Sequence, residues 1–251
     1  MITREKFDEI KSCYWRVASW AVWAESRGLP ADNVGDLSIF DSDHVLDELN
    51  PIVVIVGLNI SRNDIEKPFA NFHSSNPRAK DFKLRYAFKD TPLWGGYMTD
   101  ILKDLEEKSS GEVLKKLKEN PQLERENVQS FLEEINSLGY HDPLIIALGD
   151  ATYKIIKQNF KRLDIDYEVI KIKHFSDYSS QEVYRSDVLK VIEPAMKLPK
   201  EMISKFIYAL EDYKDKSDRN RHIANKLGIT RYLVKQCINT WAIDTYRASD
   251  E

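Results

Sequence analysis

Asn59, Asp100, Asp150 and His174 each stand at or just beyond the end of a short apolar run, and Phe69 lies between the first two. A carboxamide can hold a water molecule through both a donor and an acceptor. An ionised carboxylate only accepts, and a neutral imidazole donates from one ring nitrogen. Each residue also has an ordinary use. Asn59 suits a left-handed turn, and Thr99 or Asp100 suits the N-cap of a helix over "ILKDLEE". His174, behind the alternating "VIKIK", suits a hydrogen-bonded rim position, and Phe69 in "KPFANFH" suits a core.

The elements that must position these groups follow from the apolar runs 52–56, 97–98, 144–148 and 168–172. Helix-like stretches at 101–108, 112–119, 123–138 and 151–162 separate them, and 185–196 closes the domain with a further helix. Strands alternating with helices predict an α/β fold, a three-layer α/β/α sandwich with a mainly parallel central sheet. Sites on such sheets lie at the carboxyl ends of strands, where the four polar residues fall. Ahead of the sheet, Phe7, Ile10, Tyr14, Val17, Trp20 and Ala24 recur at helical spacing, predicting one amphipathic helix over 4–27.

Pro194 and Pro199 bracket a predicted linker between an α/β domain, residues 1–196, and a small all-helical module, residues 199–251. The module reads as three helices. Within "RHIANKLGITRYLVKQCINTW" the spacing of Ile223, Leu227, Ile229, Val234 and Cys237, with Ala224 and Gly228 between, is that of a helix-turn-helix whose second helix begins near Thr230. That geometry serves DNA binding or a protein contact; for DNA, Thr230, Arg231, Tyr232 and Lys235 are the groove-facing candidates.

In their joint order the motifs resemble the uracil-DNA glycosylase superfamily over about residues 51–192. "GLNIS" (57–61) is similar to the first motif, Gly-x-Asn-Pro-Gly, and Pro68-Phe69 resembles the pair whose ring stacks on the extruded base. "YMTDILK" (97–103) is similar to the strand whose Asn reads the base edge. "PLIIALGDATYKII" resembles a strand-turn-helix of the family, and "KIKHFSDYSS" its second, His-Pro-Ser motif. The resemblance implies hydrolysis of the N-glycosidic bond of a flipped base, damaged or mismatched. Asn59 would hold the attacking water and His174 would stabilise the departing base. Phe69, Asp100, Gly57 and Leu58 would contact the base, with Ser61 and Ser176 on phosphates.

Three departures stand out. Ile60-Ser61 replace Pro-Gly, Phe175 replaces the Pro after the histidine, and Asp100 replaces the base-reading Asn. An accept-only carboxylate disfavours the carbonyl of uracil and favours donor edges, so the expected specificity is not uracil. The other reading is a superfamily member without catalysis that binds a nucleobase or nucleic acid; an unrelated small-molecule function on a doubly wound domain is a third.

Lys67, Arg78, Lys80, Lys83, Arg85 and Lys89 face Asp81 alone across 67–89, which predicts either a phosphate-tracking loop or a solvated connection. A second basic cluster, Lys214, Lys216, Arg219, Arg221, Lys226, Arg231 and Lys235, lies in the tail. The expected partner is therefore nucleic acid, DNA rather than RNA, despite a net charge of −4. Cys13 and Cys237 are the only cysteines. They exclude an all-cysteine metal site within one chain, and the cysteines that ligate an iron–sulfur cluster in some branches are missing. No metal, cluster or other cofactor is expected. The charged start "MITREKFDEI" and the lack of a long apolar run predict a cytoplasmic protein with no membrane partner.

Overall fold

Val53 to Val56 are fully buried, so this run is covered on both faces of a sheet. In the computed structural model, which describes residues 2–60, 65–103, 105, 107, 109–196, 202–213 and 217–238, it lies in β2 (Asn50–Asn59), the central strand. The order is β1-β3-β2-β4-β5, with β1 (Ala18–Trp20), β3 (Gly96–Leu102), β4 (Leu144–Leu148) and β5 (Val169–Ile172). All neighbouring pairs are parallel except β1 against β3. The fold is α/β, as the alternation predicts.

The first helix differs from expectation. α1 (Arg4–Tyr14), capped by Thr3, stops at Tyr14, and Ala18–Trp20 form an antiparallel edge strand. Ala18, Ser19 and Trp20 are all 0% exposed. A segment buried on every side has no exposed face to set a period, so its spacing cannot tell a helix from a strand. The helix expected over 101–108 is also absent where it is described. Ile101 and Leu102 continue β3, and Lys103, Leu105 and Glu107 are not helical; residues 104, 106 and 108 lie outside the described set. Thr99 and Asp100 are therefore strand residues rather than helix caps.

α4 (Ser110–Glu119) and α5 (Pro121–Ser137) follow β3, and α5 packs on it through the fully buried Phe131. Burying such a ring is worth roughly 1.5–3 kcal/mol. α6 (Asp150–Arg162) packs on β4, β5 and β2. α2 (Val45–Glu48) is a single turn ahead of β2, and α3 (Phe82–Phe88) is tied to α7 (Gln181–Met196), whose Arg185 donates to the carbonyls of Ala87 at 3.3 Å and Lys89 at 2.8 Å. Side chains alternate along β3. Tyr97 and Thr99 take the face where Glu134 of α5 lies, and Asp100 takes the opposite face, where Asn71 lies.

One topological feature places the site. The chain leaves β2 for β3 on one side and leaves β4 for β5 on the other, so the carboxyl ends of β2 and β4 bound a crevice at the switch point.

Two compact units divide at Val188, inside α7, ahead of the linker expected between Pro194 and Pro199, of which residues 197–199 lie outside the described set. Pro194 lies within that helix, and the Thr230 hydroxyl donates to the Ala195 carbonyl, so the last turns of α7 belong with the tail. In this second unit α8 (Ile203–Asp212) and α9 (Arg219–Leu227) pack through Phe206, Ala209, Ile223 and Ala224. Gly228 ends α9 in the left-handed conformation at φ 65°, and residues 231–238 form a further helix. No helix among the described residues is long and apolar enough to cross a membrane.

Candidate functional site

Gly57 and Asp100 are paired across β2 and β3, and only a glycine fits there. A Cβ on Gly57 would lie 2.2 Å from Asp100 Oδ1 and 3.2 Å from Phe72 Cζ. Asp100 is 3% exposed. Its Oδ2 accepts from Asn71 Nδ2 at 2.9 Å. Burial raises its pKa to about 6, with Glu134 adding to the rise and Asn71 and Lys103 opposing it. The Lys103 ammonium itself donates to the Asp100 backbone carbonyl and pairs with Glu134 at 2.5 Å, so it anchors the end of β3.

His174 sits two residues beyond β5, over the other side of the crevice. A Cβ on Gly149, which has φ 86°, would lie 3.2 Å from His174 Cβ. Nδ1 accepts the Ser176 backbone N–H at 3.2 Å and lies 2.8 Å from Ser176 Oγ. An N–H can only donate, so Nδ1 carries no proton and the neutral ring presents Nε2–H. Burial lowers the pKa to about 4, opposed by Asp177 and assisted by Lys83. The imidazole stacks on Phe175, with centroids 4.5 Å apart and planes 21° apart. Phe175 meets Phe72 edge-on at 6.5 Å. Asp100, Gly57, Phe72, Phe175 and His174 thus follow one another along the carboxyl end of the sheet.

The His174 loop is clamped from α3 and the segment before it. Lys83, 2% exposed, pairs with Asp177 Oδ1 at 2.6 Å, and Lys80 Nζ reaches the Ser176 and Asp177 carbonyls at 2.8 and 2.6 Å. Burial pushes the Asp177 carboxyl up. Hydrogen bonds from Lys173, Lys83 and Ser179 and the charge of Lys83 outweigh it, and the group lies far below the usual range.

Within the basic run 67–89, Lys80, Lys83 and Arg85 are thus engaged inside the fold, whereas Lys67, Arg78 and Lys89 are exposed. Arg85 is 7% exposed and donates to the carbonyls of Ala24, Pro30 and Asp32 at 2.7–2.8 Å, and Lys89 pairs with Glu25 at 2.6 Å. A buried cation needs partners, and these are supplied within the fold. Arg78 and Lys67 remain on the surface. Ser176 serves His174, and Ser61 lies outside the described residues.

Two expected positions are corrected. Phe69 is not a stacking platform: it is 0% exposed, at φ 62°, and packs between Phe7 at 5.4 Å and Phe40 at 5.2 Å. Phe72, three residues on, is the ring beside Gly57. Asn59 ends β2 with its Nδ2 donating to the Leu105 carbonyl at 2.8 Å and the Glu107 carbonyl at 2.6 Å. Both amide hydrogens fasten the loop after β3, so the amide nitrogen is committed to the protein itself. Leu58 is 8% exposed and belongs to the core, so it offers little surface to a ligand.

Sequence reasoning missed Asn71 and Phe72. Their only signal was proximity to Phe69, since nothing local says which ring of "FANF" turns toward the sheet end. Asp150, in the first turn of α6, pairs with Lys171 at 2.5 Å outside this path. In the tail Tyr232 is 7% exposed and so is not a groove-facing candidate, while Thr230 Oγ1 accepts from Leu233 N at 3.0 Å as a helix cap. Arg231 and Lys235 lie on the same helix, partly exposed. Lys214 and Lys216 lie outside the described residues. Among the described residues no group of three or more His, Cys, Asp or Glu side chains is placed to hold a metal ion.

Compared with protein-family models, curated proteins and solved structures, the chain matches none.

Proposed function

We propose that the chain receives a nucleobase swung out of a nucleic-acid strand and hydrolyses its N-glycosidic bond. The observation that carries this reading is His174: a neutral imidazole of fixed tautomer, with Nε2–H as donor, at the carboxyl end of the sheet. When the bond from C1′ to the base breaks, its electron pair leaves with the base. A neutral donor aimed at that charge stabilises it without first having to lose a proton; one such donor is commonly worth about 10²–10³ in rate. Water then bonds to C1′ and its released proton neutralises the base. Asn59 Oδ1 is the acceptor suited to orient that water; Phe72 and Asp100, 6% and 3% exposed, would meet the face and the edge of the base once the crevice opens to admit it. Arg78 and Lys67 would meet the phosphates of that strand. The unpaired cysteines, Cys13 and Cys237, fit a reducing cytoplasm.

A second reading, binding without cleavage, is favoured by one observation: both Asn59 amide hydrogens are engaged by the Leu105 and Glu107 carbonyls. The two readings separate on labelled oligonucleotides that carry cytosine, adenine, uracil, hypoxanthine, xanthine or a mismatch, followed by alkaline cleavage of abasic sites. Strand breaks that fall at least about 100-fold in His174→Ala support hydrolysis. Binding with no strand break supports the second reading, and absence of both overturns the proposal.

A further inference from the structure

Phe69 and Phe72 share one backbone conformation and differ in what holds it. Both lie in the left-handed region, at φ 62°. A bulky side chain is strained there, so the conformation persists only where its surroundings enforce it. Phe69 is enforced on every side. Its N–H donates to the Trp15 carbonyl at 2.9 Å, its carbonyl accepts from Ser19 Oγ at 2.9 Å, and its ring lies between Phe7 and Phe40.

Phe72 is held by much less. Its carbonyl accepts from Trp23 Nε1 at 3.2 Å, the long end of the normal range, and its N–H has no protein partner among the described residues. Its ring meets Phe175 edge-on at 6.5 Å, the widest aromatic pair among the described residues. The residues on either side are anchored instead. Asn71 Nδ2 donates to the Val17 carbonyl at 3.0 Å and to Asp100 Oδ2 at 2.9 Å. The His73 ring nitrogens lie 2.9 Å from the Val22 carbonyl and 3.0 Å from the Asn71 carbonyl, and the imidazole stacks on Trp23 with centroids 5.2 Å apart. A strained, weakly held residue thus stands between two fixed ones, and it carries the ring that meets Gly57 beside Asp100 Oδ1.

We infer that Phe72 is a gate: release of its backbone to negative φ lifts the ring from Gly57, and the Trp23 indole N–H is the latch that keeps it shut. This rests on the base-binding reading of the site, for which it supplies the step that opens a crevice lined by buried groups. Opening breaks one neutral hydrogen bond, and relief of the strain at φ 62° offsets part of that loss. A base enters only the open form, so its apparent affinity is reduced by the fraction of chains that are open. Weakening the latch therefore tightens binding, the reverse of what damage to a binding site does.

The test uses the full chain labelled with para-fluorophenylalanine, the Phe72 line being assigned by its loss in Phe72→Leu. Saturation-transfer fluorine NMR is expected to show a second, exchanging state at Phe72 and none at Phe69, with a population insensitive to urea below the unfolding transition. Trp23→Phe keeps an aromatic ring against His73 and removes the indole N–H. It should raise the second state about fivefold and tighten binding of the best-bound oligonucleotide of the panel above by a similar factor, read by fluorescence anisotropy. Trp23→Tyr, with a larger ring and no indole N–H, serves if Trp23→Phe does not fold. A second state that appears at Phe69 as well, or only as the chain unfolds, overturns the inference. So does binding that is unchanged or weaker in the folded Trp23 variant. Strand cleavage by the wild type would leave the proposed function standing in both cases. If Phe72 shows its second state and no strand binds, the base-binding reading falls, and with it the role of Phe72 as a gate.

Discussion

Gly57 and Asp100 face each other across β2 and β3 so closely that a Cβ on Gly57 would lie 2.2 Å from Asp100 Oδ1. The missing side chain is what lets a buried carboxylate stand at the end of the sheet. Gly57→Ala is expected to displace that carboxylate and destabilise the fold by about 1–3 kcal/mol. In the Asp100→Ala background the same change should cost much less, because the clash is gone. A urea-denaturation double-mutant cycle reads the coupling, and additive effects would refute the contact.

Asp100 and His174 bend stability in opposite directions with pH. The folded-state pKa of Asp100 is raised from 3.8 to about 6, so its contribution is complete below about pH 4 and is lost as pH rises through about 6. That of His174 is lowered from 6.5 to about 4, so its contribution is present above about pH 6.5 and is lost as pH falls through about 4. Each spans on the order of 3 kcal/mol, less for the partly exposed histidine, and between pH 4 and 6 they largely cancel. Asp100→Asn should uncover a rise in stability from about pH 4 to 6.5, and His174→Gln a fall from about pH 4 to 6. Parallel profiles in the two variants would refute the assignment.

Lys83 should govern both the loop and the imidazole of His174. Lys83→Met leaves the Asp177 carboxylate without its most buried partner and is expected to cost about 2–4 kcal/mol. Because the Lys83 charge lowers the His174 pKa, its removal should raise that value, whereas Asp177→Asn should lower it. NMR titration of the imidazole gives both signs, and amide exchange of residues 174–179 reports the loosened loop.

Phe69 and Phe72 should respond differently to truncation. Phe69→Ala empties a fully buried site between Phe7 and Phe40 and should cost about 3–5 kcal/mol in unfolding free energy. Phe72→Leu keeps apolar volume near Gly57 and should cost less than about 1.5 kcal/mol, while weakening binding of the preferred oligonucleotide by roughly tenfold or more. Denaturation and anisotropy on the same samples separate the two effects; a Phe72 variant that unfolds without any separate loss of affinity would refute the division.

What the sequence determined by itself was the alternation of buried strands and helices. The runs 52–56, 97–98 and 144–148 lie within the parallel strands and 168–172 all but its first residue, with Asp100 near the end of β3 and His174 just beyond β5. Local apolar patterning suffices there, because a strand covered on both faces must be apolar throughout. Gly228 was legible for a similar reason, since a helix end in the left-handed region favours glycine.

Only the tertiary structure decided which groups meet. Residues 18–20 became an edge strand because β3 offered an open edge, a partner that no local period encodes. Phe69 turned into the core and Phe72 toward Gly57, although the two stand three residues apart in one motif. The basic residues between 80 and 89 found carbonyls and carboxylates 53 to 97 residues away and act as struts. Asn71 reaches the Asp100 carboxylate across 29 positions of chain. Hydrogen bonds have direction and short reach, so their partners are set by where the fold brings each atom, and a one-dimensional pattern does not carry that.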